Sequence, residues 1–250
     1  MLFSQVRVTR LSSESTPGEV SAAYAELLAG SNDRAVGVDT ECGGSIIQIA
    51  SATHVVVHDI VTQPRSRVSD LKAILENKHI LKVFFASVDD VKHLRALGID
   101  VSGYIDVQTC TARASDLRPH SLMEAWNRCN VSTPHVTLVK AKFGERGFCD
   151  IPAEVLIVQD DFVLYAAADA WITYLIASEL AIAARDAISQ TAPLYPTLAD
   201  QAVDTIVRGR LRTSYVRGDT TNQQLVDAFS FPTAYRDFTA RVSDPLITRT

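Results

Sequence analysis

Two carboxylates, Asp39 and Glu41, stand two residues apart where a short apolar run, A-V-G-V, ends. If this run is a strand, both side chains point to the same face of a sheet. Carboxylates held this close repel each other unless a cation lies between them. The pair therefore indicates a divalent-metal site. A solvated strand end is the open alternative, because 29 acidic residues in a chain of 250 make such spacing common by chance.

A third carboxylate, Asp169, lies in the middle of an alanine-rich apolar segment that predicts a helix. Burying a carboxylate without a compensating partner is costly, so Asp169 needs one. Tyr165 comes four residues earlier, which places its phenol on the same helix face one turn away. A metal ion would compensate the charge, and so would a Tyr–Asp hydrogen bond or a buried arginine.

Two more acidic residues stand where predicted helices begin. The spacing Ser87-x-x-Asp90 matches a capping box, with Asp in place of the usual Glu or Gln. Taken by itself this spacing favours a helix cap over catalysis, and the neighbouring Asp89 fits either role. Asp106 ends a predicted strand just before a helix, and we expect it to be a cap as well.

The elements that must position these carboxylates change character along the chain. Three strands rich in β-branched residues follow each other with short links, which predicts an antiparallel meander. Strands then alternate with helices, which predicts parallel pairing and an α/β fold with helices on both faces of a mixed sheet. The predicted strands are V-R-V-T and residues 35–39, 45–50, 54–59, 80–85 and 101–106, and the predicted helices are residues 16–30, 68–77, 87–97, 107–116, 121–130 and 162–185.

Taken together, these motifs resemble those of the DEDDy 3′–5′ exonucleases, the group that includes ribonuclease D and the exonuclease domain of the Werner-syndrome helicase. The resemblance covers roughly residues 33–182, and the motifs follow the family's order and spacing. It implies a ribonuclease H-like fold, a mixed five-stranded sheet flanked by helices. The matching segments are V-G-V-D-T-E, I-I-Q-I-A, K-V-F-F-A-S-V-D-D-V-K-H-L, I-D-V-Q-T, H-S-L-M-E-A and L-Y-A-A-A-D-A.

The resemblance implies hydrolysis of phosphodiester bonds from the 3′ end of a single strand, RNA in preference to DNA, with a nucleoside monophosphate as product. Two divalent cations, Mg²⁺ or Mn²⁺, would stabilise the attacking and leaving oxygens, and such hard ions prefer oxygen ligands. Tyr165 would orient the attacking water, since a phenol with a pKa of about 10 is hardly ionised at neutral pH. The metal ligands that the resemblance assigns are Asp39, Glu41, Asp90 and Asp169.

Two residues beside the carboxylates depart from the family pattern. Phe85 stands five residues before Asp90, where the family usually has a histidine, so either a polar contact to the substrate is missing or the ring stacks on a base. Cys42 follows Glu41, where a bulky apolar or aromatic residue is common, which predicts an unusual pocket for the terminal nucleotide. Thr40 is a further candidate substrate contact.

Basic residues that could contact phosphates lie in two segments of the C-terminal half. One is a long predicted loop over residues 131–152, and the other is the strip R-G-R-L-R-T-S-Y-V-R. Alternate spacing in the strip puts three arginines on one side of an extended segment, and its tyrosine can stack on a base. A solvated strip, or one paired with local acids, is the alternative. The candidates are Lys140, Lys142, Arg146, Arg208, Arg210, Arg212 and Tyr215.

Composition limits the class of protein. The chain is 47% hydrophobic and 21% charged, which is typical of a globular protein and not of a disordered one. A net charge of −5 disfavours binding of duplex nucleic acid by charge alone. Four cysteines without metal-site or redox-motif spacing predict reduced thiols in an intracellular protein, with the compartment left open. The apolar run over residues 163–184 contains Asp169 and Glu179, which predicts a buried helix and no membrane span.

We expect three segments along the chain: an N-terminal strand and helix in residues 1–32, an exonuclease domain in residues 33–190 and a short helical extension in residues 191–250. The main alternative function is a catalytically weak or inactive RNA-binding or scaffold protein on an exonuclease fold, which Phe85 keeps open. A phosphatase or nucleotide hydrolase that uses the same metals is a third hypothesis.

Overall fold

A mixed sheet of six strands, with helices on both faces, forms the centre of the computed structural model. The structure describes residues 6–29, 34–61, 68–111, 118–129 and 151–191, with side chains as far as residue 181. The strands are β1 (Arg7–Leu11), β2 (Ala35–Glu41), β3 (Ile46–Ala50), β4 (His54–Asp59), β5 (Leu81–Phe84) and β6 (Tyr104–Asp106). The described helices are α1 (Pro17–Ala29), α2 (Ser69–Leu75), α3 (Val88–Ala96), α4 (Val107–Thr111), α5 (Leu122–Arg128), α6 (Ala153–Leu156) and α7 (Asp160–Thr191).

The strand order is β1–β4–β3–β2–β5–β6. Strands β2, β3 and β4 pair antiparallel, while β5 pairs parallel to β2 and β6 parallel to β5. The predicted α/β class, the meander and the change to parallel pairing are therefore confirmed. The sheet has six strands and not five, because the V-R-V-T segment joins it: β1 runs parallel to β4 with Arg7 opposite His54.

Side-chain alternation along β2 divides the core into two layers. Val36 and Val38 pack with α1, α2 and α3 on one face of the sheet. The opposite face is covered by α7, which contacts β2 at Gly37. Because side chains of one parity share a face, Asp39 and Glu41 extend from the α7 side of this strand.

Helix α7 is the main cover of that face. By length and composition its segment Asp160–Ala181 could cross a membrane, but 78% of the most apolar window is buried inside the fold. Its Trp171 donates a hydrogen bond from Nε1 to the carbonyl of Ala52 at 3.2 Å, beyond the end of β3. This burial is that of a core helix packed on a sheet.

Local sequence explains where several helices begin. Thr16 and Glu19 form a capping box at the start of α1: the Thr16 amide donates to the Glu19 carboxylate at 2.7 Å, and the Glu19 amide donates to the Thr16 hydroxyl. Ser121 and Glu124 form the same reciprocal pair at the start of α5. The described part of the helix predicted from residue 107 ends at Thr111. Most of the predicted loop 131–152 and the predicted extension beyond residue 191 lie outside the described residues.

Candidate active site

Three carboxylates meet at the carboxyl end of β2. Ligand oxygens of Asp39, Glu41 and Asp169 all lie within 4.8 Å of one another. Asp39 and Glu41 are half-buried at the strand end, and Asp169 is only 6% exposed in the middle of α7. A donor set made of oxygens alone fits a hard divalent cation such as Mg²⁺ or Mn²⁺, and it does not fit a metal that prefers thiolate.

Gly37 allows α7 to pack close enough to β2 for Asp169 to reach Asp39 and Glu41. A Cβ at this position would lie 2.1 Å from the carbonyl oxygen of Ala170 and 2.9 Å from Cβ of Tyr174. The backbone of α7 therefore rests directly on β2, two residues before Asp39. Asp169 precedes Ala170, so this close packing fixes which residue of α7 meets the strand end.

Asp90 does not cap the helix on which it lies, so the capping-box prediction is wrong. Ser87 makes no side-chain cap for α3. Instead, the hydroxyl of Thr40 donates a hydrogen bond to Oδ1 of Asp90 at 2.5 Å. Thr40 stands between Asp39 and Glu41, so this contact brings the fourth predicted carboxylate to the same strand end.

Burial sets the electrostatics of Asp90. The side chain is 8% exposed, and loss of solvation raises the pKa of its carboxyl to about 6. The hydrogen bonds from Thr40 and the charge of His93 oppose this rise, while the charge of Asp106 adds to it. The charged form of Asp90 therefore needs a cationic partner more than the charged form of an exposed carboxylate does.

The glycine-containing turn after β2 holds α3 against this site. Gly44 has φ +86°, and a Cβ there would lie 2.7 Å from Cβ of His93. His93 is one turn along α3 from Asp90. The close approach at Gly44 and the hydrogen bond from Thr40 thus fix α3 to the end of β2 at two points.

Tyr165 lies on α7 one turn before Asp169 and is half-buried. Burial raises the pKa of its phenol well above the ordinary value, and the negative charges of Glu41 and Asp39 raise it further. These charges act on the phenol because it lies beside the acidic cluster. The hydroxyl consequently stays protonated throughout the neutral range.

Phe85 follows β5 and lies half-buried at the edge of the apolar core under α7. Its ring meets the ring of His120 edge-on, with 5.8 Å between the centroids and an angle of 84° between the planes. Cys42 follows Glu41 directly, half-buried, with φ +53°. Each departure from the family pattern therefore lies near a predicted metal ligand in the sequence, Cys42 next to Glu41 and Phe85 five residues before Asp90.

The basic candidates cannot be placed in the site. Lys140, Lys142 and Arg146 in the predicted loop lie outside the described residues, as do Arg208, Arg210, Arg212 and Tyr215 in the arginine strip. The predicted phosphate contacts therefore stay predictions.

Sequence reasoning found only part of the role of one side chain near the site, Asp106, and missed a second, Gln48. Asp106 caps α4 as predicted, accepting a hydrogen bond from the Gln108 amide at 3.0 Å, but it also binds the turn that leads into α3. Gln48 lies opposite Asp39 in the sheet and is fully buried. Among the described residues, neither atom of its side-chain amide has a hydrogen-bond partner. The one available signal for Gln48 was a polar residue inside the apolar run I-I-Q-I-A.

Comparison with known proteins gives three findings. The family model described as 3′–5′ exonuclease matches residues 15–182. No curated protein matches the chain significantly. Many solved structures share the fold, although their sequence identity is low.

Three of these structures illustrate the likeness. Trypanosoma brucei RNase D in complex with GMP is 19% identical, with a TM-score of 0.53, and the match covers 91% of this chain and 74% of that one. The same enzyme in complex with RNA U12 is 19% identical, with a TM-score of 0.53 and coverage of 96% and 80%. The EXO domain of Aedes aegypti Nibbler is 15% identical, with a TM-score of 0.51 and coverage of 83% and 96%.

Proposed function

The chain belongs to the 3′–5′ exonuclease family, and we propose that it removes nucleoside monophosphates from the 3′ end of single-stranded RNA by hydrolysing the last phosphodiester bond. The observation that carries this proposal is the meeting of Asp39, Glu41 and Asp169 within 4.8 Å. These carboxylates come from a strand end and a helix that are far apart in sequence. Asp90 and Tyr165 adjoin them through Thr40 and through the charges of the cluster.

We infer that the site takes two divalent cations, Mg²⁺ or Mn²⁺, with Asp39, Glu41, Asp90 and Asp169 as ligands. When bound, such ions stabilise negative charge on the attacking and leaving oxygens and lower the pKa of the attacking water. Four carboxylates carry more negative charge than one divalent ion neutralises, which supports the larger number. The half-buried position of Asp39 and Glu41 leaves the cluster accessible to a phosphate group.

Tyr165 would hold the attacking water in line with the scissile bond. Because its pKa is raised, the phenol is not a base at neutral pH and acts through its hydrogen bonds. Its place on α7, one turn from Asp169, fixes the hydroxyl relative to the ligands. Orientation of this kind contributes to rate by positioning the reactants before the chemical step.

Phe85 supports the choice of a single strand as substrate. A half-buried ring held edge-on by His120 leaves part of its surface for an unpaired base, and stacking contributes about 1–3 kcal/mol per base. The net charge of −5 argues against wrapping a duplex. The solved RNase D structures that share this fold hold RNA U12 and GMP, which favours RNA as substrate and a nucleotide as product here.

The direct test incubates the pure full-length chain with 5′-labelled single strands of RNA and DNA in Mn²⁺ or Mg²⁺. We expect a ladder of products shortened from the 3′ end, abolished by EDTA, with RNA degraded faster than DNA. Asp169→Asn should lose at least about 100-fold in rate, because a ligand is removed. Asp100→Asn, at an exposed acid in the loop before β6, should retain full rate. Absence of any EDTA-sensitive shortening of either strand would exclude the proposed activity.

A binding or scaffold protein is the second candidate, and Phe85 is the observation that favours it. A phenyl ring cannot donate or accept the hydrogen bond that a histidine would provide at this position. Titration of the chain with Mn²⁺ by calorimetry separates the two functions: an exonuclease needs tightly bound divalent ions, whereas a scaffold does not. RNA binding without metal binding or turnover would favour the scaffold.

A further inference from the structure

Asp106 is a buried carboxylate at the end of β6 and is fully shielded from solvent. It does not belong to the cluster of three acids at the end of β2. Its Oδ1 accepts hydrogen bonds from the amides of Gln108 at 3.0 Å and Ala86 at 3.1 Å. Its Oδ2 accepts from both the amide and the hydroxyl of Ser87, at 2.9 and 3.0 Å. Only one of these four bonds caps α4, and the other three go to the turn between β5 and α3.

The turn that Asp106 binds has an unfavourable backbone conformation. Ala86 has φ +62°, in the left-handed region that residues with a Cβ avoid. Two successive amides, those of Ala86 and Ser87, point at one carboxylate, an arrangement in which backbone N–H groups form an anion-binding concavity. The negative charge of Asp106 therefore stabilises a conformation that the alanine would not adopt by itself.

This turn determines where α3 begins. Helix α3 starts at Val88, and Asp90 is its third residue. The Ser87 hydroxyl, which would otherwise cap the helix, is bound to Asp106, so no side chain caps α3. The start of the helix is consequently located by a residue on a neighbouring strand and not by its own sequence.

We propose that Asp106 is a positioning residue for the exonuclease site: it holds Ala86, in its left-handed conformation, and Ser87 in the turn before α3 and thereby sets Asp90 against Thr40 at the end of β2. The inference rests on the proposed function, because it assigns Asp90 to the metal site. Asp106 touches neither metal nor substrate. Its loss lets α3 shift, and the site then holds a divalent cation less tightly.

The test measures Mn²⁺ binding by calorimetry and kcat on single-stranded RNA for four full-length proteins. Asp106→Asn removes the charge and turns an amide NH₂ toward the backbone N–H donors. Loss of a residue bonded directly to a metal ligand typically weakens metal binding about 10- to 100-fold, and because Asp106 acts on Asp90 through the turn, we expect a loss of Mn²⁺ affinity near the lower end of that range, with a similar fall in kcat. Asp100→Asn removes an exposed charge in the loop that leads into β6 and should match the wild type.

The fourth protein adds Ala86→Gly to Asp106→Asn. Ala86 is exposed, so no packing is lost, and glycine adopts φ +62° without strain. If Asp106 acts by holding the turn, this second change should restore Mn²⁺ affinity about tenfold. Rescue separates a positioning role from a purely electrostatic effect of the Asp106 charge on Asp90, because glycine does not restore that charge.

Two results would overturn the inference: wild-type Mn²⁺ affinity in Asp106→Asn, or a weakened affinity that Ala86→Gly leaves unchanged. If Asp106→Asn does not fold, Ser87→Ala replaces it. That variant deletes one of the three bonds to the turn and should weaken binding about threefold, again with rescue by Ala86→Gly. A wild-type chain that neither binds Mn²⁺ nor shortens RNA refutes the proposed function itself, whereas an active wild type with unaffected variants refutes only the role of Asp106.

Discussion

Replacing Gly37 by alanine should separate α7 from β2 and disturb the acidic cluster. The new Cβ would lie 2.1 Å from the carbonyl oxygen of Ala170, whereas ordinary contacts begin at 3.4 Å, so the helix must retreat by about 1.3 Å. Asp169 is the residue before Ala170 and moves with it. A misplacement of about 1 Å in a reacting constellation costs roughly 100-fold in rate, and we expect a loss of that size in kcat.

The same change should lower stability. Overpacking a well-packed contact costs about 1–3 kcal/mol, which corresponds to a fall of a few degrees in the melting temperature of a chain of this size. Activity is therefore measured on single-stranded RNA with Mn²⁺ at a temperature where the variant is folded, beside a thermal melt. Gly18→Ala is the matched control, because a Cβ there comes no nearer than 4.0 Å to a neighbouring atom and stability should change by less than about 1 kcal/mol.

The outcome that would refute this reasoning is specific. If Gly37→Ala keeps its melting temperature and its rate to within threefold, the direct packing of α7 on β2 does not position Asp169. If the rate falls while Mn²⁺ binding stays unchanged, the helix has moved without affecting the ligand set, and the assignment of Asp169 as a ligand is contradicted.

Three further predictions concern single side chains. Thr40→Val removes the hydroxyl that binds Asp90 and should lower kcat/KM about 10- to 100-fold. Thr40→Ser keeps the hydroxyl and should retain the wild-type kcat/KM. Equal kcat/KM values for the two variants would contradict the role of this bond. His58 is fully buried, and burial lowers its pKa to about 4; the unfolded chain takes up a proton near pH 6.5 and the folded chain does not. Stability should therefore fall by about 3 kcal/mol as the pH drops from 6.5 to 4, and urea titrations of His58→Phe should lack this part of the slope. Gln48→Met replaces a buried amide without partners among the described residues and should raise the free energy of unfolding by about 1–3 kcal/mol; a decrease in urea unfolding experiments would count against this.

Local patterns were sufficient for the elements that carry the chemistry. Asp39 and Glu41 end an apolar strand, and the alanine-rich surroundings of Asp169 predict a buried helix. Both elements that carry these acids were therefore predicted. The number of strands was not, because the V-R-V-T segment joins β4 by parallel pairing across a long sequence separation. The sequence of a short strand does not show which other strand it will pair with.

The role of Asp90 was ambiguous for a different reason. The spacing Ser87-x-x-Asp90 is the same whether the acid caps its own helix or faces another strand, and only the fold reveals Thr40 as its partner. The left-handed turn at Ala86 could not be predicted either, because alanine, unlike glycine, rarely adopts a positive φ and so gives no sequence signal for one. Its stabilising partner, Asp106, is 20 residues away and had a sufficient local explanation as a cap.

The packing of α7 on β2 also bears on when the acidic cluster forms during biosynthesis. Asp39 and Asp169 are 130 positions apart, so a nascent chain carries Asp39 and Glu41 long before Asp169 leaves the ribosome. At about 5–20 residues per second that interval lasts roughly 7 to 26 seconds. The N-terminal part alone therefore cannot assemble the acidic cluster, even when it has folded. Docking of α7 on β2 completes both the apolar core on that face of the sheet and the acidic cluster.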